Sequence, residues 1–424
     1  MANEFSKEEK VAFEDVCEKF DDEMVLSENV SKYKTDARGG ERSNYEIWRP
    51  MPYIAQSFNG NDQSSNFKNI TQLSVPGQVN IWKSSPWKMT AKERNDAIQE
   101  KRFGDAAAQK LASDINVSVM NVAANQGTLV VKRTAAASGY DDVAQCDSMF
   151  NEQGVQKQNR YLALSSRDYN GMASNLAARE TINEMPTKAY RNSYVGNISG
   201  FETFKLDYAN RKAAKLGTTV TINGASQYYT PLATRTAAGG TGETSNVDNR
   251  YQDIILDVTS GAVAVGDSFT IADVYAVHHI TKQSTGQLKT FRVIDLNASA
   301  GASGTMTISP PIISGGGSTD AELMYKNVDS TPANGAALVF LNTVEAAVNP
   351  FWYKDSIELL PGQFEVDTSS GLAVIKSTTM QGVTITMSKQ TDIKTLDTFY
   401  RLDIFYGVVM KQPEMAGIMQ FSQT

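Results

Sequence analysis

From Thr90 to Gly127 the sequence carries one unbroken helical pattern, TAKERNDAIQEKRFGDAAAQKLASDINVSVMNVAANQG, and a β-like run, Leu129-Val130-Val131, follows at once. Thr90 and Glu93 have the spacing of a capping box, in which a hydroxyl and a glutamate exchange bonds with each other's backbone. Gly127 is expected to end the helix in a left-handed conformation. A helix over Ala91–Asn125 would be about 50 Å long at 1.5 Å per residue, well beyond the three to four turns usual in globular proteins. Ala107, Leu111, Ile115, Val119 and Val122 form its apolar stripe, with alanines that let neighbours approach closely. Gly104 is a weak point, costing up to about 1 kcal/mol against alanine. Such length and such small residues predict a structural spine.

The segments on either side fall into blocks. Residues 1–30 hold ten acids and three bases, with Val11, Val16, Phe20 and Met24 at near-helical spacing, so a short acidic amphipathic helix is expected. Residues 50–89 (MPYIAQSF, a polar NGNDQSSN, then QVNIW) read as a long hairpin arm that needs another surface to receive it. Residues 138–216 mix helices and short strands. From about 218 to 348 the pattern becomes purely β: TVTI, DIILDV, DSFTIADVYAV, TFRVIDL, TMTISP and ALVFL, separated by Gly, Ser and Thr linkers. That predicts a small barrel or sandwich. After Pro350 the mixed pattern returns in VTITMS and RLDIFYGVVM. Mixed, then β, then mixed implies an insertion into an α+β host.

Chemistry is hard to find. The 424 residues carry a net charge of −7 and a pI of about 5.2, a poor basis for gripping phosphates. Cys17 and Cys146 form no motif. The N-terminus shows no secretory pattern, and no run of about 18 apolar residues occurs. The two histidines, His278 and His279, are expected as neighbours on one strand, where they would point to opposite faces and could not chelate one ion. No GxSxG, P-loop, GxGxxG or HExxH motif is present, and nothing selects one pair among the many carboxylates. No catalytic, cofactor-binding or metal residue is therefore expected; the chain reads as a structural or binding protein and not an enzyme. A secreted β-rich adhesin or carbohydrate-binding protein is the alternative. It would explain the Gly/Thr-rich strands, but neither the missing signal nor the spine.

Five stretches together carry a resemblance: ERSNYEIWRP (41–50), AAAQKLASDINVSVMNVAANQGTLVV (106–131), NVDNRY (246–251), NPFWYKDSIELL (349–360) and LDTFYRLDIFYGVVMKQPEMAGIM (396–419). In order and approximate spacing they resemble the major coat protein of short-tailed, scaffold-assembled bacteriophages that carry an extra β-domain. The resemblance implies the tailed-phage capsid fold, an α+β chain with an inserted β-barrel. The expected divisions are an N-terminal arm (1–49), an extended hairpin loop (50–89), the spine helix with the start of a peripheral domain (90–134), a first axial/peripheral part (135–217), the inserted barrel (218–348) and an axial/peripheral return (349–424). It implies hexamers and pentamers of an icosahedral shell, scaffolding and portal proteins as partners, double-stranded DNA enclosed without strong binding, no membrane, no cofactor, and a place in the virion after assembly in the host cytoplasm. The family's scaffold-docking acids fall on Glu14, Asp15 and Glu18. Its charged inter-capsomer loop falls on about 235–250, with Glu243, Asp248 and Arg250; the tip, TAAGGTGETS, is less acidic than the family's loop.

Overall fold

The computed structural model describes residues 5–33, 44–48, 59–62, 64, 66–93, 97–177, 195–206, 208–215, 217–236, 242–297, 302–363, 365–366, 372–379 and 382–424. They fall into two compact units. One takes the chain up to Tyr45, Gly77–Asn121 and Ile357–Val409; the other takes Glu46–Pro76, Val122–Ser356 and Met410–Thr424.

In the first unit, helix α1 (Lys7–Glu23) begins at Ser6, whose hydroxyl accepts from Glu9 N (3.2 Å) while Ser6 N donates to Glu9 Oε2 (2.8 Å). This is a capping box that satisfies otherwise orphaned amides. Phe13, Val16, Cys17 and Phe20 form the buried face, and Val11 lies outside at 58% exposure. The expected stripe is thus rotated toward Phe13. Helix α2 (Ala97–Gln126) supplies a buried row of Ala107, Ala108, Leu111, Ala112, Ile115 and Val119. The row then drifts to Ala123 and leaves Val122 half-buried. Thr90 and Glu93 exchange their capping bonds, Thr90 N to Glu93 Oε2 (2.9 Å) and Glu93 N to Thr90 Oγ1 (3.4 Å), although the described helix starts only at Ala97. Gly104 is where α1 meets α2: a Cβ there would stand 3.0 Å from Val16 Cγ2. Lys19 of α1 also bonds Asp105.

The sheet of this unit runs in the order Ser31–Lys32, Ile357–Pro361, Thr398–Met410, Thr384–Thr391, Ala373–Thr378. Ile81–Met89 also pairs antiparallel with the long strand, Thr398 opposite Met89 through Tyr406 opposite Ile81. The extended segment expected over 50–89 therefore gives IWKSSPWKM to a sheet. Ser74–Gln78 of the same segment pairs with Asn44–Trp48, which lies outside the expected 50–89.

In the second unit a mixed sheet runs Leu129–Lys132, Ala416–Gln420, Asn349–Tyr353, Arg160–Ser165, Phe201–Leu206, Asn197–Ile198. Helices α3 (Tyr140–Glu152) and α4 (Ser166–Ala177) pack on it through Val143, Cys146, Phe150, Tyr169 and Met172, against Leu162, Phe201 and Phe351. Gly127 ends α2 here, but not through a left-handed backbone. A Cβ would lie 2.7 Å from Ala123 O and 2.9 Å from Gly417 N, so glycine is required by close approach.

The purely β region closes into a six-stranded barrel: Thr219–Ile222, Gln252–Ser260, Ala302–Ser309, Ser284–Asn297, Ser268–Val277, Ala337–Phe340 and back to the first. Closure removes the unpaired edges that a sandwich of such short strands would leave. Ile254, Leu256, Phe269, Phe291, Met306 and Ile308 fill it, with the Phe269 and Phe291 rings stacked at 5.7 Å. The chain enters and leaves the barrel side by side, because Arg211–Lys212 pairs antiparallel with Ala346–Ala347 and Lys215 N donates to Asn342 O (2.7 Å). A short helix, α5 (Asp320–Tyr325), lies between the barrel's fifth and last strands in sequence, capped by Thr319.

Candidate assembly surfaces

With one face of α1 buried, its opposite face is set by the 3.6-residue repeat. Glu14 and Glu18, four residues apart, are both exposed on that face, and Asp15 beside them is half-buried. The helix is held from beneath by Glu9, which is buried and accepts from Lys389 Nζ and from Tyr400 OH (3.1 Å). Burial alone would push the Glu9 carboxyl up. The bonds from Lys389, Ser6 N and Tyr400 outweigh it and hold the group below the ordinary glutamate range. The Ser6-Lys7-Glu8-Glu9 spacing announces the cap, but nothing local announces Lys389.

The second surface is a ribbon. Thr234–Thr236 pairs with Thr244–Asn246, and every residue of both strands is exposed. Glu243 is exposed where the returning strand begins; residues 237–241 of the expected tip lie outside the described residues. Asp248 and Arg250 sit at the ribbon's base. Arg250 is buried, forks onto Asp248 through Nε to Oδ1 (2.8 Å) and Nη2 to Oδ2 (2.6 Å), and donates from Nη1 to Met410 O (2.8 Å). Asn249, between them, is fully buried and bonds both limbs of the ribbon's base, donating to Leu232 O and to Val247 O (2.8 Å each). The structure thus separates Glu243, out on the ribbon, from an Asp248–Arg250 pair engaged within its own subunit.

The third surface lies on the extended segment. Thr71 O accepts from Tyr325 OH (2.7 Å), Lys68 pairs with Asp320 (3.1 Å), and Leu73 is buried among Ile313 and Tyr325. This limb is received by α5 of its own unit, and it leaves Phe67 and Ile70 at 86% and 70% exposure. The stretch 49–58, with residues 63 and 65, lies outside the described residues. In the first unit, Trp82, Trp87, Val366, Leu372, Phe399 and Tyr400 wall an open cleft of about 720 Å³. Trp87 stacks on Tyr400 at 5.5 Å there, and Arg401 lies over Trp82.

Among the described residues no cluster of His, Cys, Asp or Glu could hold a metal ion, and no helix is long and apolar enough to cross a membrane. His278 and His279 lie in the turn after Ser268–Val277, not on a strand. His278 Nδ1 accepts from the Ile280 and Thr281 amides (3.1 and 3.2 Å), whereas His279 is buried.

A family model described as "P22 coat protein - gene protein 5" matches residues 1–422. The chain belongs to this coat protein family. It is accordingly a bacteriophage major coat protein, its place is the capsid of the virion, and its α+β fold with the closed barrel is that of a phage capsid protein. Membership in the coat protein family displaces the secreted adhesin as an account of the β-rich region. Solved structures are similar as well. The CUS-3 coat protein I-domain is 37% identical over 29% of this chain and 96% of that one, with a TM-score of 0.23. The structure of Mycobacterium phage Che8 is 9% identical over 93% of this chain and 90% of that one (TM-score 0.42). The capsid structure of the cyanophage P-SCSP1u is also 9% identical, over 93% and 86% (TM-score 0.40).

Proposed function

We propose that this coat protein assembles, guided by a scaffolding protein, into an icosahedral procapsid of hexamers and pentamers with a portal. The procapsid then expands as double-stranded DNA is packaged. In this reading residues 218–348 are an inserted domain on a host shared by the rest of the chain. The observation that carries the scaffold step is the two-sided α1: a buried face anchored by Glu9 and Lys389, and an exposed face bearing Glu14 and Glu18 with Asp15 at its edge. Exposed carboxylates attract a basic patch over about a Debye length. Each exposed pair contributes only about 0–1 kcal/mol, so the contact is weak, salt-sensitive and reversible, as suits a scaffold that must leave.

Exposed Phe67, Ile70 and the aromatic cleft supply apolar surface for contacts between copies, and Glu243 supplies charge on a projecting ribbon. Expansion is then a switch between two packed arrangements of the same subunits. The net charge of −7 keeps the shell from holding incoming DNA tightly.

The test is light-scattering assembly of purified coat with scaffold at two salt concentrations. The triple change Glu14→Lys, Asp15→Lys, Glu18→Lys should leave the subunit's melt within a few degrees of wild type and block scaffold-dependent assembly. Added salt should slow the wild type. Assembly of the triple variant at the wild-type rate would reduce these residues to a solvated helix face.

A further inference from the structure

The barrel strand Ser284–Asn297 turns Phe291 and Val293 inward, yet its polar side chains Lys289, Thr290 and Arg292 are also buried. What covers them is the host sheet and its helices. Thr290 Oγ1 donates to Thr128 O (2.8 Å), and Arg292 Nη2 donates to Ala124 O in the last turn of α2. Lys289 Nζ donates to Glu414 Oε1 (2.7 Å) and Gln153 Oε1 (3.1 Å). Glu414 Oε1 accepts a further bond from Asn327 Nδ2 (3.1 Å). Glu414, on the turn Pro413–Met415 of the host, is thus the hub of the joint.

His279 closes this pocket. Its side chain is 3% exposed, its Nε2 stands 3.9 Å from Glu414 Oε2, and neither ring nitrogen has a hydrogen-bond partner among the described residues. Beside it, His278 lies over the end of α3, where a Cβ on Gly154 would come 3.2 Å from the ring. The charges that face His279 are Glu414 from the host turn, Lys289 from the barrel strand, Lys282 from its own turn, and His278 next to it. Lys282 Nζ is tied to Lys326 O (3.1 Å), with the Lys326 ammonium nearby. One carboxylate already faces two ammonium groups in a dry pocket, so a proton on His279 would add a third cation around the single Glu414 charge.

We propose that His279 is a proton-operated release for the inserted barrel: neutral, it lets the Lys289–Glu414 joint close on the host; protonated, it forces the joint open while the barrel stays folded. The proposal rests on reading 218–348 as a domain in its own right. Burial, opposed by Glu414, lowers the closed-state pKa of His279 to about 3, against an ordinary 6.5 when solvated. The group's folded pKa is lowered, so the open state binds more protons between these values. The opening that His279 drives is therefore small above about pH 6.5 and grows as pH falls toward 3. At pH 5 the open-to-closed ratio should be raised about 30-fold over its neutral value.

The test uses the full-length subunit. Hydrogen exchange, corrected for its intrinsic pH dependence, follows strands Leu129–Lys132 and Ser284–Asn297 at pH 7.5 and 5, in wild type and in His279→Phe. The expected result is about 30-fold faster opening of the joint at pH 5 in wild type, no such change in His279→Phe, and protected inner strands Gln252–Ser260 in both. An unchanged joint, or equal acid opening in both proteins, overturns the proposal and leaves the domain reading standing. Loss of protection in Gln252–Ser260 together with the joint overturns it by the other route, because the barrel then does not survive release. Should His279→Phe fail to fold, histidine ring NMR on wild type decides. Release predicts a separate protonated His279 signal growing in as pH falls; a single signal that titrates near pH 6.5 with the joint intact refutes it.

Discussion

Glu9 shows how one side chain ties a terminal helix to the rest of its unit. Its carboxylate caps α1 through Ser6 and meets Lys389 and Tyr400, all in a nearly dry setting. Removing one partner of a buried pair leaves the other uncompensated, which costs about 3 kcal/mol or more. Glu9→Gln should lose about that much in urea unfolding at pH 7. Its folded pKa lies below the ordinary 4.5, so the contribution is complete above about pH 4.5 and fades as pH drops through the folded value. The gap between wild type and Glu9→Gln should therefore shrink toward pH 3 (about where most carboxylates are protonated); a gap that stays constant would mean that the carboxylate's charge is not what stabilises. Half of this was legible. The Ser-x-x-Glu cap is a local pattern, while Lys389 is 380 positions away and becomes a partner only through the sheet. His279 is similar: its sequence neighbours gave a strand, and the turn that buries it against Glu414 is a tertiary fact.

At the scale of elements, α1 and α2 meet at Gly104, where a Cβ would press on the Val16 side chain at 3.0 Å. Read alone, Gly104 is a propensity defect; in the fold it is a contact. Gly104→Leu should cost about 1–3 kcal/mol by overpacking and raise hydrogen exchange across α1. Val16→Ala combined with Gly104→Leu should recover part of that loss, since residues in contact couple. If the two changes simply add, the crossing is not what makes Gly104 necessary. The spine's stripe from Ala107 to Val119 was readable from period alone, because a long helix repeats its signal. Gly127 was readable as an end but not in its reason, which depends on Gly417 arriving from the far end of the chain. Ile81–Met89 was assigned to the arm because its partner strand, Thr398–Met410, is equally remote.

For the whole molecule, the barrel's strands run from Thr219 to Phe340, with α5 between the last two of them, in a stretch where the sequence showed only β-runs. A barrel was expected from the resemblance and not from strand patterns alone: closure depends on Val220 pairing with both Val258 and Leu338, and strand patterns do not name partners. Residues 218–348 expressed alone should give dispersed amide signals and a cooperative melt, with Lys289, Thr290 and Arg292 newly solvated; a disordered spectrum would mean the barrel needs its host to fold. The paired connections at Arg211–Lys212 and Ala346–Ala347 have a further consequence. Antiparallel partners stand only about 5 Å apart, so the coat body is interrupted by no more than the width of one strand pair. To the rest of the chain the barrel is a bead on a clasp. Any domain whose two ends meet could hang from the same clasp, provided that it brings its own cation for Glu414; each position in the shell would then become a fixed address for displaying a foreign fold.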